Sequence, residues 1–152
     1  MARETTELAA KRWEDLELLQ RHYKNFTDFL DDCLHDLLGF TMSPQQEDIG
    51  NYLQYGPLRS MIQAQRGQAK TTISGCFVVW CLIHNPTCRS VILSASDSVA
   101  TEIANWAIQV IMSMPELECM RPDAANRDRT SSHAFDIHNS LKGAEKSPSI
   151  AC

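Results

Sequence analysis

No CxxC pair occurs among the six cysteines (Cys33, Cys76, Cys81, Cys88, Cys119, Cys152), so no cysteine pair is there to join a His-x₃₋₅-His set in a zinc finger. Neither a disulfide scaffold nor a structural zinc is therefore indicated, and a reducing cytoplasm is the expected compartment. Long apolar runs are also missing. The longest, Cys76–Ile83, falls far short of the roughly 20 residues a spanning helix needs, so it reads as a buried element rather than a membrane segment. The start, Met-Ala-Arg-Glu-Thr-Thr-Glu, has neither the charge nor the apolar stretch of a secretory signal. Positive charge is not in excess: 14 Lys+Arg against 19 Asp+Glu leave a net −5, which excludes a simple cationic DNA-coating protein but not one that grips DNA through a small patch. No internal repeat or low-complexity segment is present.

What is there suffices for one domain: 152 residues with 43% hydrophobic content can build a core. Charge is uneven, since residues 1–40 carry five basic and nine acidic side chains while 41–152 carry nine and ten. The first quarter is therefore the acidic one. Within 5–38, Leu8, Trp13, Leu16, Leu19, Phe26, Phe29, Leu30, Cys33, Leu34, Leu37 and Leu38 recur mostly at three- and four-residue steps. That spacing predicts two helices or one bent one, with a solvated acidic face and Gly39 as the C-terminal stop.

Ser43-Pro44-Gln45-Gln46 predicts a helix start, with Ser43 as cap, Pro44 at the first position and Gln46 completing a capping box; the helix should run toward Gln54. After the Tyr55-Gly56-Pro57 break, Arg59–Gln65 reads as a strand, 66–69 as a small-residue turn, and Lys70–His84 as a buried helix stopped by Asn85-Pro86. Arg89–Ser96 reads as a second strand, and Asp97 as the N-cap of a helix reaching about Met114. This β-α-β-α order predicts an α/β protein with a parallel sheet covered by helices. Further on, Pro115–Ser132 reads as a polar connection, Ala134–His138 and Ser149–Cys152 as strand fragments, and Asn139–Ser147 as the loop between them.

The chemistry sits in Ala64-Gln65-Arg66-Gly67-Gln68-Ala69-Lys70-Thr71-Thr72. On the phosphate-loop template GxxxxGK(S/T), Lys70 and Thr71 match the last two positions while Ala64 and Ala69 replace the glycines. The segment follows an expected strand and opens an expected helix, the setting in which backbone N–H groups and the helix dipole surround phosphates. Lys70 would neutralise the β- and γ-phosphates, the Thr71 hydroxyl would ligate Mg²⁺, and Gly67 would let the chain approach the polyphosphate. Ala69 could still serve if its backbone angles stay in the right-handed region, since one methyl is a small obstruction. Upstream, Gln45 could both donate to and accept from an adenine edge. Downstream, Val91–Asp97 ends a strand in small polar residues where open α/β sheets bind ligands.

Taken in order, these elements resemble the N-terminal part of the large terminase subunits, the DNA-packaging motors of tailed bacteriophages, and the short-tailed podovirus type in particular. The resemblance rests on Phe40-Thr41-Met42-Ser43-Pro44-Gln45, Asp48-Ile49, Tyr52-Leu53, the variant loop Gln65–Thr71, Arg89–Asp97 and Asp136–Ala151, and so spans most of 40–152. It implies a RecA-like P-loop ATPase domain over 40–152 behind an N-terminal helical segment (1–39), with a nuclease domain in the full-length protein. Partners implied are double-stranded DNA, a portal protein and a small terminase subunit, in a homo-oligomeric ring at the procapsid in the host bacterial cytoplasm. The implied nucleotide set is Gln45, Arg66, Gly67, Gln68, Ala69, Lys70, Thr71 and Thr72, with Lys70 and Arg66 as catalytic cations, Thr71 on Mg²⁺, and ATP as the nucleotide.

One part of that pattern is missing. Hydrolysis needs a carboxylate at the end of a strongly apolar strand, and no run of four apolar residues here leads into Asp or Glu. Asp136 in AFDIH is too briefly preceded by apolar residues to serve, and no carboxylate cluster for a two-metal nuclease follows. The expectation is a chain that ends before the acidic motif and binds nucleotide with little turnover. A helicase-type translocase fragment, or a non-catalytic assembly module with a vestigial loop, are the alternatives. Arg121, Arg127 and Arg129 read as a solvated loop rather than a DNA contact, because Asp123 and Asp128 nearly cancel them. His133 and His138, on opposite faces of an expected strand, receive no role, and Trp80, Trp106, Cys76 and Cys81 read as core.

Overall fold

The computed structural model describes residues 6–144 and 146–152; the first residues of the polar start and Glu145 of the expected 139–147 loop lie outside the described residues. The N-terminal periodic stretch forms two helices, α1 (Thr6–His22) and α2 (Phe26–Leu38). The break falls at Tyr23, whose carbonyl accepts the Trp80 indole N–H at 2.8 Å and lies 2.9 Å from His84 Nε2. The buried Tyr23 hydroxyl donates to Asp32 at 2.9 Å, and burial followed by that carboxylate pushes its pKa up. Gly39, at φ 73°, ends α2 in the left-handed conformation that a residue without Cβ adopts most readily. Leu16, Leu19, Phe29, Leu30, Cys33 and Leu34 face inward, whereas Leu8, Trp13 and Leu38 are exposed.

Helix α3 (Pro44–Tyr55) starts as its sequence predicts: the Ser43 hydroxyl accepts from Gln46 N–H and the Gln46 side chain accepts from Ser43 N–H. Helix α4 (Lys70–His84) has the predicted bounds, and α5 spans Asp97–Ser113. The N-cap of α5 is Ser96, not Asp97, and its side chain makes no capping bond, so Asp97 falls in the first turn. Close approach of α4 and α5 requires Gly75. A Cβ there would stand 2.6 Å from Cδ1 of Trp106, whose indole N–H is tied to the Thr72 carbonyl at 3.0 Å. Both Trp80 and Trp106 are half-buried against the core rather than enclosed by it.

Among the described residues, four two-residue strands form one mixed sheet in the order β1-β4-β3-β2: β1 (Ser90–Val91), β2 (Thr130–Ser131), β3 (Ala134–Phe135) and β4 (Ile150–Ala151). Only β1 and β4 are parallel, with Ser90 opposite Ile150; β4 with β3 and β3 with β2 are antiparallel. The expected all-parallel sheet is thus corrected to a small mixed one in a mostly helical protein. The 59–65 strand is absent. Its residues do alternate, with Met61, Gln63 and Gln65 exposed and Ile62 and Ala64 half-buried, but no neighbouring segment supplies the ladder bonds a strand needs. The Arg89–Ser96 strand shrinks to two residues for the same reason, leaving Leu93 exposed.

Beyond α5 the expected polar connection instead contains a 3-10 helix, Pro115–Met120, that buries Leu117, Cys119 and Met120. Arg121 donates to the carbonyls of Ile111 and Met114, satisfying the end of α5, so it is structural rather than solvated. The expected 139–147 loop opens with a one-turn helix, α6 (Asn139–Lys142). Side chains of α1, α2, α4, α5, the 3-10 helix and the sheet share one buried cluster. All six cysteines are free, and burial pushes the Cys81 and Cys119 thiols up to about 11, so these two are inert at neutral pH. Among the described residues no helix is long and apolar enough to cross a membrane.

Candidate nucleotide-binding site

The loop from Gln65 to Ala69 reverses the chain into α4. Two positive φ angles make that turn, 88° at Gly67 and 54° at Ala69. The right-handed angles on which Ala69's role is conditional are not met: it is the left-handed N-cap of α4, with ψ 34° and no side-chain cap for the helix. A left-handed residue followed by the right-handed Lys70 turns successive N–H groups to one side, the backbone geometry of an anion cradle. The α4 N–H groups that begin at this cradle have no intrahelical partner, and the helix dipole adds positive potential there.

Holding an L-residue in the left-handed region costs roughly 1–2 kcal/mol, and only part of that is offset by the greater unfolded freedom of glycine. Ala69→Gly is accordingly expected to stabilise the chain by about 0.5–1 kcal/mol, read as a higher urea midpoint. A β-branched Val at the same position should lower it; an unchanged midpoint in both variants would refute the left-handed assignment.

Lys70 is half-buried, and its ammonium folds back into the loop, donating to the carbonyls of Ala64 at 2.5 Å and Gln65 at 3.0 Å. The cation is thus fixed inside the turn by the two residues that open it. Arg66 and Gly67 form the exposed tip; Arg66 has no hydrogen-bond or ion-pair partner among the described residues and lines neither adjoining cleft.

Clefts flank the loop on two sides. One, of about 410 Å³, lies between α3, which contributes Gln45, Asp48 and Ile49, and the loop approach, which contributes Gln63, Ala64, Gln65 and Gln68. The other, of about 680 Å³, brings Thr71 and Thr72 of α4 together with Asp97, Ser98 and Glu102 of α5, and with His133. The structure therefore joins Gln45 to Gln68 on one side and places Thr71 with Thr72 on the other, with Lys70 between. Each threonine is half-buried.

Among the described residues no cluster of three or more His, Cys, Asp or Glu could hold a metal by itself. The donor set still fits Mg²⁺, which is ordinarily held by one or two protein oxygens together with phosphate and water; the Thr71 hydroxyl and the Asp97 carboxylate are oxygens on the same cleft. Asp136 is committed elsewhere, 3% exposed and 2.5 Å from Lys142 Nζ, so it is no free metal ligand.

The two histidines also differ from the sequence reading, since neither lies in a strand. His138 is buried and its Nδ1 accepts from Ser140 N–H to cap α6, while His133 Nδ1 stands 4.0 Å from Asp97. Arg129 pairs with Asp136 and donates to the Lys146 carbonyl, and Arg127 is exposed. In the sequence Asp48 carries only the resemblance, Asp97 reads as an N-cap at the end of a strand, and Gln63 has no role, yet all three line the clefts. The signal for Asp48 was its i+3 spacing from Gln45, which puts both on one helix face; for Asp97 it was a carboxylate directly following a strand and serines.

Neither a protein-family model nor a curated protein sequence matches the chain.

Proposed function

We propose that this chain is the ATP-binding portion of a DNA-packaging motor of the large-terminase type, an incomplete RecA-like P-loop domain preceded by N-terminal helices. The observation that carries the reading is Lys70 held inside a left-handed turn that opens α4, with Gln45 and Thr71 on the two clefts beside it. An elongated nucleotide needs such a series: a polar cleft for the base, a backbone cradle with a cation for the phosphates, and an oxygen donor for the metal.

In this reading Gln45 meets the base. The N–H groups of Ala69, Lys70, Thr71 and Thr72 face the phosphates, the Gln68 N–H closes the turn on the Gln65 carbonyl, and Gly67 adds no side chain beside them. Lys70 exchanges its loop carbonyls for phosphate oxygens, and the exposed Arg66 is free to reach a phosphate or a neighbouring subunit. Thr71 would hold Mg²⁺, which would supply positive charge against the phosphate oxygens. In the full-length protein, hydrolysis would drive double-stranded DNA into a procapsid in the host bacterial cytoplasm. The work would be done by a ring of subunits with the portal protein and small terminase subunit as partners, and with a nuclease in a further domain.

Titration of labelled ATP with Mg²⁺ tests the site. Weak binding is expected for the 152-residue chain, falling at least tenfold in Lys70→Ala, with little or no turnover in either. Equal, negligible binding by both would end the nucleotide reading. Sustained turnover by a homogeneous preparation would show that a catalytic carboxylate is present after all.

A further inference from the structure

We propose that Asp48 is the specificity-determining residue of the base cleft, selecting a purine whose edge offers N–H donors. The inference rests on the nucleotide reading above and goes one step beyond it. Five side chains with hydrogen-bonding capacity line that cleft, and four of them, Gln45, Gln63, Gln65 and Gln68, are amides. An amide both donates and accepts, so it can turn to suit almost any base edge and discriminates weakly. Asp48 is different in kind. An ionised carboxylate only accepts, so it rewards an edge that presents N–H groups and is repelled by one that presents lone pairs.

Its placement suits that role. The Ser43–Gln46 capping box fixes the start of α3, and from there Gln45, Asp48 and Ile49 share one helix face at i, i+3 and i+4. Ile49, packed against the core, gives that face an apolar floor for a ring. Asp48 is exposed and has no hydrogen-bond or ion-pair partner among the described residues, so its lone pairs are not already committed. Gln46, the neighbouring amide, is excluded from the cleft because it is buried in the cap. A carboxylate would repel the triphosphate if the two met. Here it lies on α3, across the cleft from the loop that carries Lys70.

The chemistry required is an exocyclic amine or ring N–H on the purine, which adenine and guanine both have. Purine riboside 5′-triphosphate keeps the ring, the sugar and the phosphates but lacks the amine, so it isolates the contact. Equilibrium binding with Mg²⁺ is measured for ATP, GTP and purine riboside triphosphate on the wild-type chain, Asp48→Ala and Asp48→Asn. The wild type is expected to prefer an amine-bearing nucleotide by about tenfold, in keeping with one hydrogen bond to a charged acceptor. Both variants should bring that preference to within about twofold, the alanine by removing the acceptor and the asparagine by adding a donor. Whichever of ATP and GTP loses affinity in the variants identifies the base.

Asp48 is an exposed helix residue, so neither substitution should disturb folding, which circular dichroism checks. If the wild type binds none of the three, the nucleotide reading itself fails. If the wild type binds all three alike, or Asp48→Ala retains the preference, the assignment of Asp48 fails while the nucleotide site stands.

Discussion

Lys142→Ala should cost about 3–5 kcal/mol of folding free energy, because it strands a buried carboxylate. Lys142 is 6% exposed and Asp136 3%, and Nζ lies 2.5 Å from Oδ1. The other oxygen, Oδ2, accepts the Arg129 backbone N–H at 3.0 Å and has Arg129 Nε at 3.5 Å. Removing the ammonium leaves only that N–H and a half-exposed guanidinium to balance a charge out of water. The same pair need not be a net stabiliser. Replacing both members with apolar groups of like volume, Asp136→Leu with Lys142→Met, should recover most of the loss, since the desolvation cost of both ions disappears together. Urea unfolding of the two single variants and the double one checks this. A loss under about 1 kcal/mol in Lys142→Ala would mean that water reaches the pair.

That ion pair also explains one feature the sequence made hard to place. In the sequence Asp136 is poorly framed as a metal carboxylate, and its actual partner lies six residues on in a one-turn helix. A helix of one turn carries no periodicity to read, so Lys142 looked like loop. The long helices were legible for the opposite reason, because their signals are local. Ser43, Pro44 and Gln46 specify the start of α3 within four residues, Gly39 specifies the end of α2, and Asn85-Pro86 stops α4.

Strands are set by partners far along the chain. Arg59–Gln65 has the composition and even the alternating burial of a strand, yet no segment lies beside it to complete a ladder. Propensity cannot reveal a missing neighbour. At the site, the order of Gln45, Lys70 and Thr71 was visible, as was the turn between 66 and 69. The left-handed angle at Ala69 was not, because alanine gives no hint of positive φ; that angle is imposed by the reversal into α4. That Asp48 and Asp97 line the clefts follows only from the packing of α3 and α5 against the two flanks of the loop.

Phe26→Ala is the substitution expected to loosen the site most from a distance, at about 3–5 kcal/mol. Phe26 opens α2, is fully buried, and packs edge-on against Phe77 of α4 with centroids 5.0 Å apart. Its backbone N–H donates to Gln54 Oε1 of α3 at 2.7 Å, and its ring lies under Gly50 of the same helix. The one side chain therefore joins α2 to both helices that frame the base cleft and the loop. Alanine keeps the backbone bond but opens a cavity where three helices meet, and the surrounding aromatic rings can collapse into it only partly. Against a domain stability of about 5–15 kcal/mol, that loss brings the folded population close to its limit. Two measurements separate local from global effects. Urea unfolding should show the lowered midpoint, and at temperatures where the variant is fully folded its ATP affinity should fall by severalfold, since α3 and α4 are no longer held in register. If affinity stays at the wild-type level while stability drops, the clefts do not depend on the seating of α3 against α4, and the base cleft would have to be built by the loop alone.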